Sequence, residues 1–142
     1  MALPTQFQLQ SPRAGLWNTN SYLSSGIPFV TGSTILSSSF ATNNAQVKVS
    51  FPLVTRAITV VSRSTTDIRI HFNSIADGNV IGGHHYITLS EARDSITLSV
   101  KSKEIYISLA DSGSNGEYEL FAELTNISPV EMIPLTGSGL TV

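Results

Sequence analysis

From about Ile27 onward, apolar and polar residues alternate in short runs, and each run ends in residues that bend the chain. QVKVSF sets Val47, Val49 and Phe51 on one side, and DIRIHF sets Ile68, Ile70 and Phe72 against Arg69 and His71. SITLSV gives Ile96, Leu98 and Val100. KEIYISLA gives Ile105, Ile107 and Leu109 against Tyr106 and Ser108, and EYELFAEL gives Tyr118, Leu120, Ala122 and Leu124 against Glu119, Phe121 and Glu123. Successive strand side chains point to opposite faces, so each run reads as a strand with one buried and one solvated side. RAITVVS at 56 to 62, with Ile58 and Val60 inward, HHYITL at 84 to 89, IPFVT at 27 to 31 and a last run at 130 to 135 extend the series. The spacing predicts an all-β fold, a single jelly-roll β-sandwich of about eight antiparallel strands, with room for a short extra strand at the start.

Composition supports this reading. The 142 residues include 21 Ser, 14 Thr, 13 Ile and 10 Val, a mixture that suits pleated, half-buried surfaces and disfavours long helices. The length fits one domain able to bury a core without covalent staples. There is no Cys, which removes disulfide frameworks, thiolate nucleophiles and Cys-bound zinc together. Net charge is -2 and only 13% of residues are charged, about half the usual quarter. Eight Lys and Arg make too weak a field to neutralise several phosphates, so no nucleic-acid partner is expected. Apolar runs are a few residues long and MALPTQFQLQ lacks the charged and apolar regions of a signal peptide. No membrane insertion is expected, and synthesis in the cytoplasm is.

Residues 1 to 25 read as an N-terminal arm ahead of a jelly-roll domain at 26 to 142: Gln, Ser, Asn and Pro dominate, and no period is sustained. Leu16, Trp17, Tyr22 and Leu23 are too apolar for a solvated tail and too irregular to form a face. They either pack on the body of their own domain or contact a neighbouring subunit. Between the strands, Ser64 to Asp67, Ala76 to Asn79, Ala92 to Asp94 and Asp111 to Gly116 carry ordinary turn chemistry. SEARDS at 90 to 95 could form one helical turn, and Asn73 to Gly83 is long enough to cross between two sheets. Pro52 after Phe51 marks an edge, a bulge or a bend between strands.

Candidate chemistry is sparse. His84 and His85, with Glu91 nearby, suggest a metal-binding jelly roll, but adjacent strand residues point to opposite faces and cannot share one ion. His71 lies on another strand, facing outward beside Arg69. No metal, cofactor or catalytic residue is therefore expected. Many Ser residues occur without a nucleophile elbow, and Glu117, Glu119 and Glu123 share one outward face, as a solvated strand does. Gly82-Gly83 lacks the context of a phosphate loop and reads as a turn. Asn126-Ile127-Ser128 fits the glycosylation sequon, but Pro129 follows it directly. Arg56, within an apolar strand, either snorkels along the sheet or pairs with a carboxylate of a neighbouring loop or subunit.

With FPLVTRAITVVSRSTTDIRIHFNS (51 to 74), GGHHYITL (82 to 89) and VKSKEIYISL (100 to 109) taken together, the sequence resembles the single jelly-roll penton proteins of nucleocytoplasmic large DNA viruses, which close the fivefold vertices of icosahedral capsids. The resemblance covers residues 28 to about 135 and rests on strand patterns. It implies a structural, non-enzymatic virion protein: a homopentamer of wedge-shaped sandwiches whose arm, including Leu16, Trp17, Tyr22 and Leu23, meets neighbouring major and minor capsid proteins. No family residue with a chemical role maps onto this chain. Two other readings share the fold, a β-sandwich module that binds a glycan or receptor and a capsid decoration protein.

Overall fold

The computed structural model describes residues 14–23, 26–77 and 79–140. Eight strands form two four-stranded antiparallel sheets: β1 (Ile27–Ile35), β2 (Val47–Ser50), β3 (Thr55–Ser62), β4 (Ile68–His71), β5 (Ile87–Leu89), β6 (Ser95–Leu98), β7 (Glu104–Leu109) and β8 (Gly116–Leu124). One sheet runs β1-β8-β3-β6 and the other β2-β7-β4-β5. First pairs with last, second with seventh, third with sixth and fourth with fifth, which is the winding of a jelly roll. The expected all-β sandwich of eight strands is present.

The core lies between the sheets because the alternation puts it there. Ile58, Val60, Ile68, Ile70, Ile105, Ile107, Leu109 and Leu120 are essentially inaccessible to water, and Phe72, Ile96 and Val100 pack against them half-buried. Leu98 is only half-buried, as befits a residue of the edge strand β6. Phe51, in the passage from β2 to β3, reaches across the layers to Phe29 of β1, the rings meeting edge to face at 5.3 Å. Pro52 sits at this change of sheet, where no ladder donor is needed. Gly116 opens β8 where a Cβ would lie 2.7 Å from Leu109 Cδ2 and 3.0 Å from Ile68 Cγ2, so the sheets close here only without a side chain.

Four expectations need correction. Asn73 to Gly83 does not cross between sheets: it belongs to the link from β4 to β5, which pair directly, and crossings are made by shorter connections such as 51 to 54 and 63 to 67. The strand expected over 84 to 89 is confined to Ile87–Leu89, because His84 adopts φ +58 and the chain turns there. No strand forms over 130 to 135; a 3-10 turn at Pro129–Glu131 stands there instead, Pro129 being unable to donate to a ladder. Ser90 to Asp94 is a turn held by the Asp94 carboxylate, which accepts from the backbone N–H groups of Ser90 and Glu91.

Candidate functional site

Of the arm, residues 1–13 and 24–25 lie outside the described residues. Residues 14–23 form a turn and a four-residue helix, α1 (Asn20–Leu23). Leu16 is buried in a second apolar cluster with Val54, Ile127 and Met132, against which Tyr22 and Leu135 pack. Buried polar groups lock the sandwich at this end: Val54 N–H donates to the Ile127 carbonyl at 2.9 Å, and Thr125 Oγ1 donates to the Val54 carbonyl at 2.7 Å. The Leu16 carbonyl accepts from Tyr22 Oη at 2.8 Å and from Lys101 Nζ at 3.3 Å. Lys101 Nζ also lies 5.0 Å from the Trp17 ring centroid and 4.7 Å from that of Tyr22. Leu16 and Tyr22 thus seat on their own domain, whereas Trp17 and Leu23 remain 82% and 72% exposed.

The same end of the chain's fold exposes Val130 and Ile133, at 89% and 64%, beside the buried Met132. A second apolar surface occupies the outer face of the β1-β8-β3-β6 sheet. Val30 and Phe121 sit opposite each other in the β1–β8 ladder, Phe121 is opposite Thr59 of β3, and Val30 is 74% exposed. With Gly32, Thr59, Val61 and Glu119 they line a shallow depression of about 460 Å³. Glu119 and Glu123 flank it, paired with Arg63 at 2.6 Å and Arg56 at 3.0 Å. Arg56 is thereby a fixed partner of a carboxylate on the adjacent strand.

No protein-family model matches the chain, and no curated protein does. The geometry of the remaining candidates therefore decides what they can do. His71, expected to face water, is only 1% exposed. It is on the outer face of its sheet, as the alternation requires, but Tyr106 stacks on its ring at 5.8 Å and the chain beyond it folds back to cover it. Its Nδ1 lies 2.7 Å from the Asn73 carbonyl oxygen, which can only accept, so Nδ1 carries the hydrogen and Nε2 accepts from Ser108 Oγ at 2.9 Å. Burial pushes the imidazole below its usual range, opposed by the Asn73 hydrogen bond and assisted by the positive charge of Arg69.

His84 is exposed, with its ring 6.1 Å from that of Tyr86, and His85 is half-buried with Nδ1 unpartnered. Since neither is on a strand, opposite-face geometry does not describe them; it is the left-handed turn at His84 that sets their directions. Among the described residues no three His, Asp or Glu side chains gather as a metal site would require. Arg69 stacks over Tyr86 at 4.4 Å, a cation–π contact on the same outer face as His71. Among the described residues no helix is long and apolar enough to cross a membrane.

Proposed function

We propose that this chain is a structural virion protein, the penton subunit that forms a homopentamer at the fivefold vertices of an icosahedral capsid of a large double-stranded DNA virus. The observation that carries the reading is a jelly roll exposing two separate apolar surfaces, Val30 with Phe121 on a sheet face and Trp17, Leu23, Val130 and Ile133 among the residues flanking the second apolar cluster. A cyclic ring needs two such surfaces, because each subunit offers one flank to a different flank of the next. Contiguous exposed apolar patches mark contact surfaces, whereas single exposed apolar residues are ordinary. The resemblance of the strand patterns at 51 to 74, 82 to 89 and 100 to 109 to the penton proteins supports the vertex reading. Neighbouring major and minor capsid proteins are the further partners, the virion is the location, and the role is mechanical closure without catalysis.

A reconstruction of the particle tests the reading. Five copies of this chain around the fivefold axis are expected. Density for it at threefold or general positions, or its absence from the particle, overturns the vertex assignment.

A further inference from the structure

Next to the arm turn lies a groove of about 470 Å³ that includes Tyr22, Arg56, Thr97, Ser99, Lys101 and Glu123, a volume in the range of small-molecule sites. Its chemistry differs from that of the apolar depression on the same sheet. A register shift between Thr55 and Ala57 places a bulge at Arg56, a position that strict alternation would send inward with Ile58 and Val60. The bulge re-aims the guanidinium onto Glu123 of the outer face, so that a fixed donor and a fixed acceptor stand side by side, 3.0 Å apart. Thr97 and Ser99, on and just beyond β6, add two hydroxyls. At the rim, Lys101 is held by the rings of Trp17 and Tyr22 and by the Leu16 carbonyl. Among the described residues its ammonium has no carboxylate partner, leaving the groove with one positive charge in excess in a chain of net charge -2.

We propose that this groove binds a carboxylate-bearing sugar, a residue of the uronic or sialic acid class. An adjacent donor and acceptor match vicinal hydroxyls, the Lys101 ammonium, without a carboxylate partner among the described residues, matches the carboxylate, and the Trp17 ring, 82% exposed, offers an apolar face to sugar C–H groups. A neutral sugar leaves Lys101 unused, and a phosphodiester chain needs more cations than one. The site stands whether or not the chain closes a capsid vertex.

Titration of the full chain with glucuronic acid and with N-acetylneuraminic acid, followed by amide and indole NMR shifts, tests it. Glucose, acetate and a terminally blocked glutamyl peptide serve as comparisons. At least one sugar acid is expected to shift Thr97, Ser99, Lys101 and the Trp17 indole, more strongly than any comparison. Lys101→Ala should weaken that binding about tenfold, as loss of one hydrogen bond to a charged group does. Because Lys101 also holds the arm turn, Trp17→Ala is the second variant: its exposed ring lies outside the Leu16 cluster, which the change leaves in place, and binding should again weaken. Silence with both acids overturns the proposal, as does equal binding of glucose or acetate, or unchanged affinity in both variants. Tighter binding of the glutamyl peptide overturns it in favour of a protein partner.

Discussion

At the scale of single residues, His71 shows what a strand pattern conveys and what it leaves out. Alternation correctly put its side chain on the outer face of β4, opposite Ile68 and Ile70, but period two says nothing about what covers that face. The cover is made by Tyr106 of β7 and by the turn at Asn73, contacts that no local spacing encodes. Because burial lowers its folded pKa, His71 takes up a proton less readily in the folded chain than in the unfolded one, where imidazole titrates near about 6.5. Its contribution to stability is therefore full above that value and is lost as pH falls below it toward the folded pKa. Urea midpoints measured from pH 8 down to pH 5 should decline, and His71→Gln, though less stable at neutral pH, should decline less. A parallel fall in both proteins would assign the acid sensitivity to other groups. Core positions are simpler. Ile107→Ala should cost about 2 to 5 kcal/mol in equilibrium unfolding, because Ile107 is wholly buried between the sheets. Leu98→Ala should cost less, since that side chain is already partly exposed.

At the scale of elements, strands were legible wherever apolar and polar residues alternate in sequence, as in β3, β4, β7 and β8, even where, as on β4 and β7, the fold also covers outer-face residues. What failed were segments whose conformation is set by backbone torsions or by long-range pairing. HHYITL looks like a strand, yet positive φ at His84 stops it, and Asn73 to Gly83 looks long enough for a crossing because sequence does not reveal that β4 and β5 are direct neighbours. The candidate contact residues of the arm divide in the same way. Their apolar character was evident, but only the fold shows Leu16 filling a cluster with Val54, Ile127 and Met132 while Trp17 stays outside it. Lys101, on the far side of the sequence from that turn, carried no signal of its own; its role arises because the β6–β7 connection passes beside Tyr22. Deleting residues 1 to 25 should consequently leave the jelly roll folded but less stable. Removal of Leu16 alone exposes apolar surface worth roughly 1.5 to 3 kcal/mol. Thermal unfolding should show one transition at a lower midpoint, with a β-type far-UV spectrum retained; unchanged stability would mean that the arm turn is not seated on the body in solution.

At the scale of the whole molecule, a ring and a simple dimer make opposite demands on the two apolar surfaces. An isologous dimer uses one patch twice, so spoiling the other patch leaves it intact, whereas a head-to-tail ring joins two different patches and fails when either is spoiled. Val30→Glu with Phe121→Glu places charge on the sheet-face patch, and Val130→Glu with Ile133→Glu places it on the patch beside Met132. Val30, Val130 and Ile133 are well exposed, so their changes should alter the stability of the isolated subunit by no more than about 0.5 kcal/mol each, whereas Phe121, 42% exposed, loses the part of its ring burial that remains. If the sheet-face patch of one subunit meets the Val130 and Ile133 patch of the next, neither double variant alone should associate in sedimentation velocity at concentrations where the proposed pentamer of the unmodified chain is expected. An equimolar mixture has a different outcome. Each pair then retains one good flank on each partner, allowing a single contact and no continuation, so the mixture should produce heterodimers and nothing larger. Self-association of either variant alone would show that its spoiled patch is not part of the ring contact, and pentamers in the mixture would show that the ring closes through surfaces other than these two.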